Sequence, residues 1–492
     1  MNRMATLAET SRTGSLPRFA PALLICIAAA AIGALAQSFL TPIDCDVSWL
    51  ITVNEKMLAG ARIYTDVIEV NPPASIWLYT PAVWIAELLH LHAEAVVAGT
   101  FIGAGLLSCV STLRISERLR QPPNATVLIA AVAFTALVLP LGTFAQREHA
   151  ALLLAFPSLA ALAVISEGRA LSLISRLTTG VAAGLVIAIK PHLLLAIVPA
   201  ALFACYRGRA LRAIIPGALA GFAVLAIYAT AVALVTPEYL KLLPILSEVY
   251  LPLREPWTAI LQNPVLTIPL AICAIVFALR PGRMPALPAM FLIGSVGFAA
   301  AGIIQGKGWL NHALPGMALG FVGLTLLIVD VSMARARRAL FLAATATLAA
   351  TQLYAMASIR PVPGLAQAVA RVAPPRPSVI TLGPDLLTGH PLVRNVGGRW
   401  AGSRAALFIA DGAHDELANA RGETRSKLFR WYQADIDAFA NDVERERPDV
   451  VLVDSRPQLA WLRDDPRVRR TMLNYRPAAR AGAIEVWTRR DR

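Results

Sequence analysis

The sequence predicts an all-α polytopic membrane protein of about eleven transmembrane helices with a small C-terminal α/β domain. Three observations carry this. The 492 residues are 57% hydrophobic and only 15% charged, with a mean hydropathy of +0.59, far more apolar than an ordinary soluble domain. Apolar runs long enough to cross a bilayer recur between short Arg-bearing loops. Beyond about residue 357 the runs stop and charge rises.

The first run, Arg18 to Leu40, has a basic flank and an Ala34-Leu35-Ala36 stretch like a signal-peptidase site, but its length and the spans that follow predict an uncleaved anchor. Further spans read at roughly 94–113, 124–140, 150–166, 177–189, 191–205, 213–235, 258–279, 286–304, 312–330 and 339–357. Pro72 to Leu91 opens with two prolines, carries Pro81 in its middle and has two Trp, which suits a helix lying in the interface rather than a span. Four of the five cysteines lie in or at the ends of apolar runs and only Cys45 is in a polar segment, so neither a disulfide framework nor a zinc motif is predicted.

Alternate loops carry Arg3, Arg12 and Arg18; Arg114, Arg118 and Arg120; Arg169 and Arg176; Arg207, Arg209 and Arg212; Arg280 and Arg283; and Arg335, Arg337 and Arg338. The positive-inside rule makes these cytoplasmic. The net charge of +14 is then a topology signal and gives no reason to expect nucleic acid. Every lysine and all seven histidines fall on the opposite, outer side. Reporters fused after Arg120, Arg212 or Arg338 are expected to read as cytoplasmic and one after Arg360 as periplasmic. A cytoplasmic tail would mean that the spans are miscounted.

The transmembrane part is expected over 1–357, with a first outer loop over 41–93, and an outer C-terminal domain over 358–492. Ala373 to Ser378 reads as a linker. Strand-like SVITLG, DVVLVD and AIEVWTRR flank a polar helix-like run, Ala413 to Arg447. The tail has no Cys, no Gly-rich phosphate loop and no obvious triad, so an accessory or acceptor-binding role is expected.

Four outer patches gather polar groups. The first loop concentrates Asp44, Asp46, Asp66 and Glu69, the last followed by Asn71 and two prolines. A carboxylate in partly apolar surroundings at a membrane surface can serve as a general base. Gln146 to Ala150 brings Arg147 and His149, Lys190 to His192 is a tight turn, and Gln305 to His312 carries Lys307 between two glycines. Arg, Lys and His on one face suit a phosphate. Asp44-Cys45-Asp46 is also an Asp-x-Asp that can hold a divalent cation, a weak three-residue signal, so no cofactor beyond a possible divalent cation is expected.

The acidic motif after the first span, the ML.G...Y.D..E.NPP...WL pattern, REH, KPH and Q.KGW..H..P together resemble the GT-C superfamily of integral-membrane glycosyltransferases, in particular the bacterial branch related to protein O-mannosyltransferases and aminoarabinose transferases. The likeness covers roughly residues 40 to 320. It implies a GT-C-like fold in the bacterial inner membrane and hexosyl or pentosyl transfer from a polyprenyl-phosphate sugar to a periplasmic lipid, glycan or protein acceptor. It also implies that the acidic residue after the first span is the catalytic base, here Asp44 or Asp46. Asp46 is favoured, since its spacing to Trp49 puts both on one helix-like run. Lys307, His312, Arg147, His149, Lys190 and His192 are the candidates for the donor phosphate, and Asp66, Glu69 and Asn71 for acceptor or loop support. The alternative is a lipid or polysaccharide transporter or flippase, but the span interiors are nearly free of charge and no internal repeat is visible.

Overall fold

The computed structural model describes residues 20–39, 41, 43–209, 211–279, 284–329, 334–358 and 361–491. Arg3, Arg12, Arg18, Arg280, Arg283 and the Arg360 fusion point lie outside the described residues.

Seven described helices are long and apolar enough to cross a membrane: Ala93–Ser116, Arg147–Ser166, Pro191–Gly208, Leu211–Val235, Ala286–Gln305, Leu310–Ile328 and Arg335–Met356. Shorter apolar helices cover Pro21–Gln37, Ala125–Val138, Leu173–Ile189 and Pro264–Leu279. Together these follow the predicted spans in order, and the chain is a multi-pass helical membrane protein with a small C-terminal sheet. Asn124 and Ser172 start two of the shorter helices by accepting the backbone N–H three residues on, a bond no residue inside the helix can supply there.

Pro72 to Leu91 is not a span. It breaks into Pro73–Trp77 and Thr80–Leu88. A nine-residue helix rises only about 14 Å against a hydrocarbon core of about 30 Å. Ala82, Val83 and Ala86 face the protein while Trp84 and Leu88 are exposed. The same loop holds a longer helix, Cys45–Leu58, whose Trp49, Leu50 and Val53 are buried.

At the far end of the bundle two of the Arg-bearing loops meet. Arg120 hydrogen-bonds Glu167 through its backbone N–H (2.7 Å) and its guanidinium (2.9 Å), and Arg169 reaches the Arg118 carbonyl at 3.3 Å. These loops share one end, as their charge pattern predicts.

The tail builds a five-stranded sheet from β1 (Ser378–Leu382), β2 (Arg399–Trp400), β3 (Val450–Asp454), β4 (Tyr475–Ala481) and β5 (Ile484–Arg489), in the order β2-β1-β3-β5-β4. β1 pairs in parallel with β2 and β3, while β5 runs antiparallel to β3 and β4. The sequence shows β1, β3 and β5 and hides β2, which is two residues long, and β4, whose Pro477 sits at a register shift. The polar run from Ala413 to Arg447 is two helices, Phe408–Leu417 and Gly422–Glu446, not one. The helix before Ala373 to Ser378, Leu365–Val372, already packs on the sheet, against β4 and β5.

The sheet does not stand apart. One apolar core runs from the bundle through Trp49 and Trp400 to Val379 and Val450. Ser48 meets His390 Nδ1 at 3.1 Å, Lys56 donates to the Gly402 carbonyl at 3.0 Å, and Arg394 grips Glu55 at 2.7 and 2.8 Å while also bonding Glu94. Gly412 rests on the turn Leu246–Tyr250 so closely that a Cβ there would sit 2.0 Å from the Val249 carbonyl oxygen.

Candidate active site

Asp44 is the N-cap of Cys45–Leu58, with φ −61° and ψ 147°. Its Oδ1 accepts from the backbone N–H groups of Asp46 (2.8 Å) and Val47 (3.3 Å) and from Gln146 Nε2 (2.5 Å). The cap fixes where the helix starts, and so places Asp46 in its first turn and Trp49 one turn on. Burial, and then the neighbouring Asp46 charge, push the Asp44 carboxyl up to about 7.

Asp46 Oδ2 accepts from Arg147 Nη2 at 2.8 Å and from Gln146 Nε2 at 3.1 Å. Arg147, 1% exposed, gives its other terminal nitrogen to Asn71 Oδ1. Asn71 donates to Glu69 through its side chain (2.6 Å) and backbone (2.7 Å), and Glu69 accepts from the Trp49 indole. Since Asp46 and Trp49 share a helix, the chain Asp46, Arg147, Asn71, Glu69, Trp49 closes on itself. Burial pushes the Glu69 carboxyl up, against the pull of these donors.

These groups line a cavity of about 770 Å³ together with Lys307, Arg254 and Tyr250. Gly306 (φ +70°) and Gly308 (φ +66°) take left-handed conformations on either side of Lys307 and turn its side chain inward. The ammonium donates to the carbonyls of Tyr250 (2.7 Å) and Leu253, lies 4.1 Å from the centroid of the Tyr250 ring, and keeps one N–H. Burial, and then Arg254, lower the Lys307 pKa to about 8. The tail supplies the opposite wall: Asp385 after β1, Arg404, and Phe408, Asp411, Asp415 and Glu416 from Phe408–Leu417. Arg404 is held there because Ile68 N–H bonds the Ser403 carbonyl at 2.8 Å.

Of the residues the sequence singles out, Asp44, Asp46, Glu69, Asn71, Arg147 and Lys307 reach this cavity. The others are placed elsewhere. His149 sits in the core between Phe101 and Phe144, its Nδ1 accepting from Ala145 N–H at 3.1 Å and its Nε2 on the Ala136 carbonyl at 2.7 Å, which leaves no ring nitrogen for a phosphate. Lys190 turns to buried Glu148, which also meets His312 (3.5 Å) and Asn311 (3.2 Å). His192 does not line the cavity, and Asp66 is paired with Arg62 at the surface. Sequence reasoning missed Glu148, Tyr250, Arg254 and the tail wall. Only Glu148 carried a signal, a carboxylate flanked by Arg147 and His149.

In the Asp-x-Asp pair one oxygen of each carboxylate is already engaged: Asp44 Oδ1 accepts from three N–H donors, and Asp46 Oδ2 accepts from an amide and from the Arg147 guanidinium, which sets a positive charge beside any cation bound there. Among the described residues no three His, Cys, Asp or Glu side chains gather to hold a metal ion.

No protein-family profile matches this sequence, and no curated protein is similar to it in sequence. Its fold is similar to that of ArnT from Cupriavidus metallidurans bound to undecaprenyl phosphate (TM-score 0.55, 13% identity, 96% of this chain and 98% of that one). The apo form of ArnT gives a TM-score of 0.53 at 13% identity over 94% of this chain and 97% of that one. The oligosaccharyltransferase AglB from Archaeoglobus fulgidus is a more distant likeness (TM-score 0.45, 12% identity, 93% of this chain and 73% of that one). The likeness runs over nearly the whole of both chains, so this chain shares the fold of ArnT.

Proposed function

We propose that this protein is a glycosyltransferase of the bacterial inner membrane that moves a hexosyl or pentosyl group from a polyprenyl-phosphate donor to a hydroxyl of a lipid, glycan or protein acceptor, with the cavity and the C-terminal domain, 358–492, facing the periplasm. The observation that carries this reading is one cavity at the helix ends that holds a carboxylate fixed for proton transfer and a lysine with a donor to spare. A transporter reading gains less support, because these ionisable groups sit at helix ends and in loops rather than in broken mid-membrane helices.

Asp46 takes the proton of the acceptor O–H as the acceptor oxygen attacks C1 of the sugar. The C1–O bond to the phosphate breaks, and the lipid phosphate leaves with the electron pair. Arg147 has both terminal nitrogens engaged by Asp46 and Asn71, so it holds the base. The charge gained by the phosphate then falls to Lys307 and neighbouring Arg254. Because the leaving group is a phosphate, no strong general acid is required.

Lys307→Ala should weaken donor binding about tenfold or more, and Lys307→Arg should rescue it in part, because a guanidinium is larger and directs its donors differently. Binding of labelled polyprenyl phosphate to the purified variants tests this, and unchanged affinity in Lys307→Ala removes the residue from the site.

The pH profile of kcat/KM should be a bell. Asp44 ionises near 7, and as a full carboxylate it accepts more strongly from Gln146 and from the Asp46 and Val47 N–H groups, which firms the cap that places Asp46, so activity rises with pH there. Above about 8 Lys307 loses its proton and the phosphate its partner, so activity falls. Asp44→Asn keeps a good N-cap and should abolish the rising limb. A rising limb that persists unchanged in this variant assigns it to another group.

A further inference from the structure

We propose that the C-terminal domain reaches the donor site through a turn: Gly412 and Lys427 are positioning residues that seat Leu246–Tyr250, and the seated turn holds the Lys307 ammonium in place for the donor phosphate. The inference deepens the glycosyl-transfer reading above and rests on it.

Glu248, Val249 and Tyr250 are each held by the tail. Glu248 pairs with Lys427. Val249, 0% exposed, packs into a small core with Ala413 and Leu428. Its carbonyl lies against Gly412, where a Cβ would come within 2.0 Å of the oxygen and 2.8 Å of the carbon, so only glycine allows that approach. Tyr250 meets the Phe408 ring edge-on, with centroids 6.3 Å apart. Phe408 and Gly412 stand one helical turn apart and share the face of Phe408–Leu417 that covers the turn.

The seated turn in turn fixes Lys307. The ammonium donates to the carbonyls of Tyr250 (2.7 Å) and Leu253 and lies over the Tyr250 ring. The Glu255 N–H ties the same segment to the Gly306 carbonyl at 2.9 Å, next to Lys307. A lysine is a point charge on a flexible four-carbon stem, so ordering it beforehand spares the donor that cost on binding. The tail is then needed for the donor, beyond any part it has in holding the acceptor.

The test uses the full-length protein in detergent with labelled polyprenyl phosphate as the probe. Gly412→Ala pushes the turn off the helix, and affinity should fall about three- to tenfold. If Gly412 acts through Lys307, the double variant Gly412→Ala, Lys307→Ala should bind no worse than Lys307→Ala alone. Glu248→Lys and Lys427→Glu should each weaken binding about twofold, and the two together should restore it. This charge swap carries the comparison should Gly412→Ala fail to fold. In a second readout, a water-soluble acylating reagent should label Lys307 about threefold faster in Gly412→Ala, while buried Lys190 labels as in the wild type. Unchanged or tighter binding, additive losses in the double variant, or faster labelling of both lysines overturns the proposal. If the wild type binds no polyprenyl phosphate, the glycosyl-transfer reading fails instead. Lys307 labelling that does not change in Gly412→Ala then overturns the strut as well.

Discussion

Asp46→Asn is expected to lower turnover by about 10² to 10⁴ while donor binding survives. Asparagine keeps the size and most of the hydrogen bonding of the side chain but cannot accept the acceptor proton. The donor contacts assigned to Lys307 and Arg254 lie on other loops, so affinity for the lipid phosphate separates lost chemistry from lost fold. Asp44→Asn is the matched comparison in a single-turnover assay. A larger loss there, with Asp46→Asn near normal, moves the base two residues back, and normal turnover in both removes the acidic loop from the chemistry.

The second large effect is on stability. Glu148 and Lys190 form an ion pair that is almost wholly buried, with His312 and Asn311 completing the cluster. Lys190→Met should destabilise the protein by about 3–5 kcal/mol, because it leaves the buried Glu148 charge without its hydrogen-bonded cation. Adding Glu148→Gln to Lys190→Met should recover much of that loss, since an uncharged amide is far cheaper to bury. Thermal unfolding in detergent checks both. A Lys190→Met protein as stable as the wild type, but with weaker donor binding, would return Lys190 to the phosphate.

The eleven apolar segments were legible because each is a long run between charged loops, and the non-spanning stretch because its prolines fall too close together for a full helix. The acidic loop was legible because carboxylates stand out in a chain that avoids charge. What the sequence hides is direction. Arg147 and His149 lie two residues apart in QREHA, but the helix begins at Arg147, and two residues turn about 200° around it. When Arg147 faces the cavity, His149 must face the core, where Phe101 and Phe144 receive it. Lys190 reads as a free cation because its partner, Glu148, lies on a helix 42 residues earlier. The docking of the tail is equally hidden: Arg394 meets Glu55 and Glu94, and His390 meets Ser48, through pairings 300 to 342 residues apart that no local pattern records.

The central claim is that this cavity breaks the bond between a sugar and a lipid phosphate. The most direct test incubates the purified protein with a polyprenyl-phosphate sugar labelled in the sugar, together with an envelope lipid and glycan extract, and follows free polyprenyl phosphate and labelled product. The account predicts that both appear in equal amounts with the wild type and that both are lost with Asp46→Asn. Binding of the intact donor without release of polyprenyl phosphate, or equal release by Asp46→Asn, contradicts it.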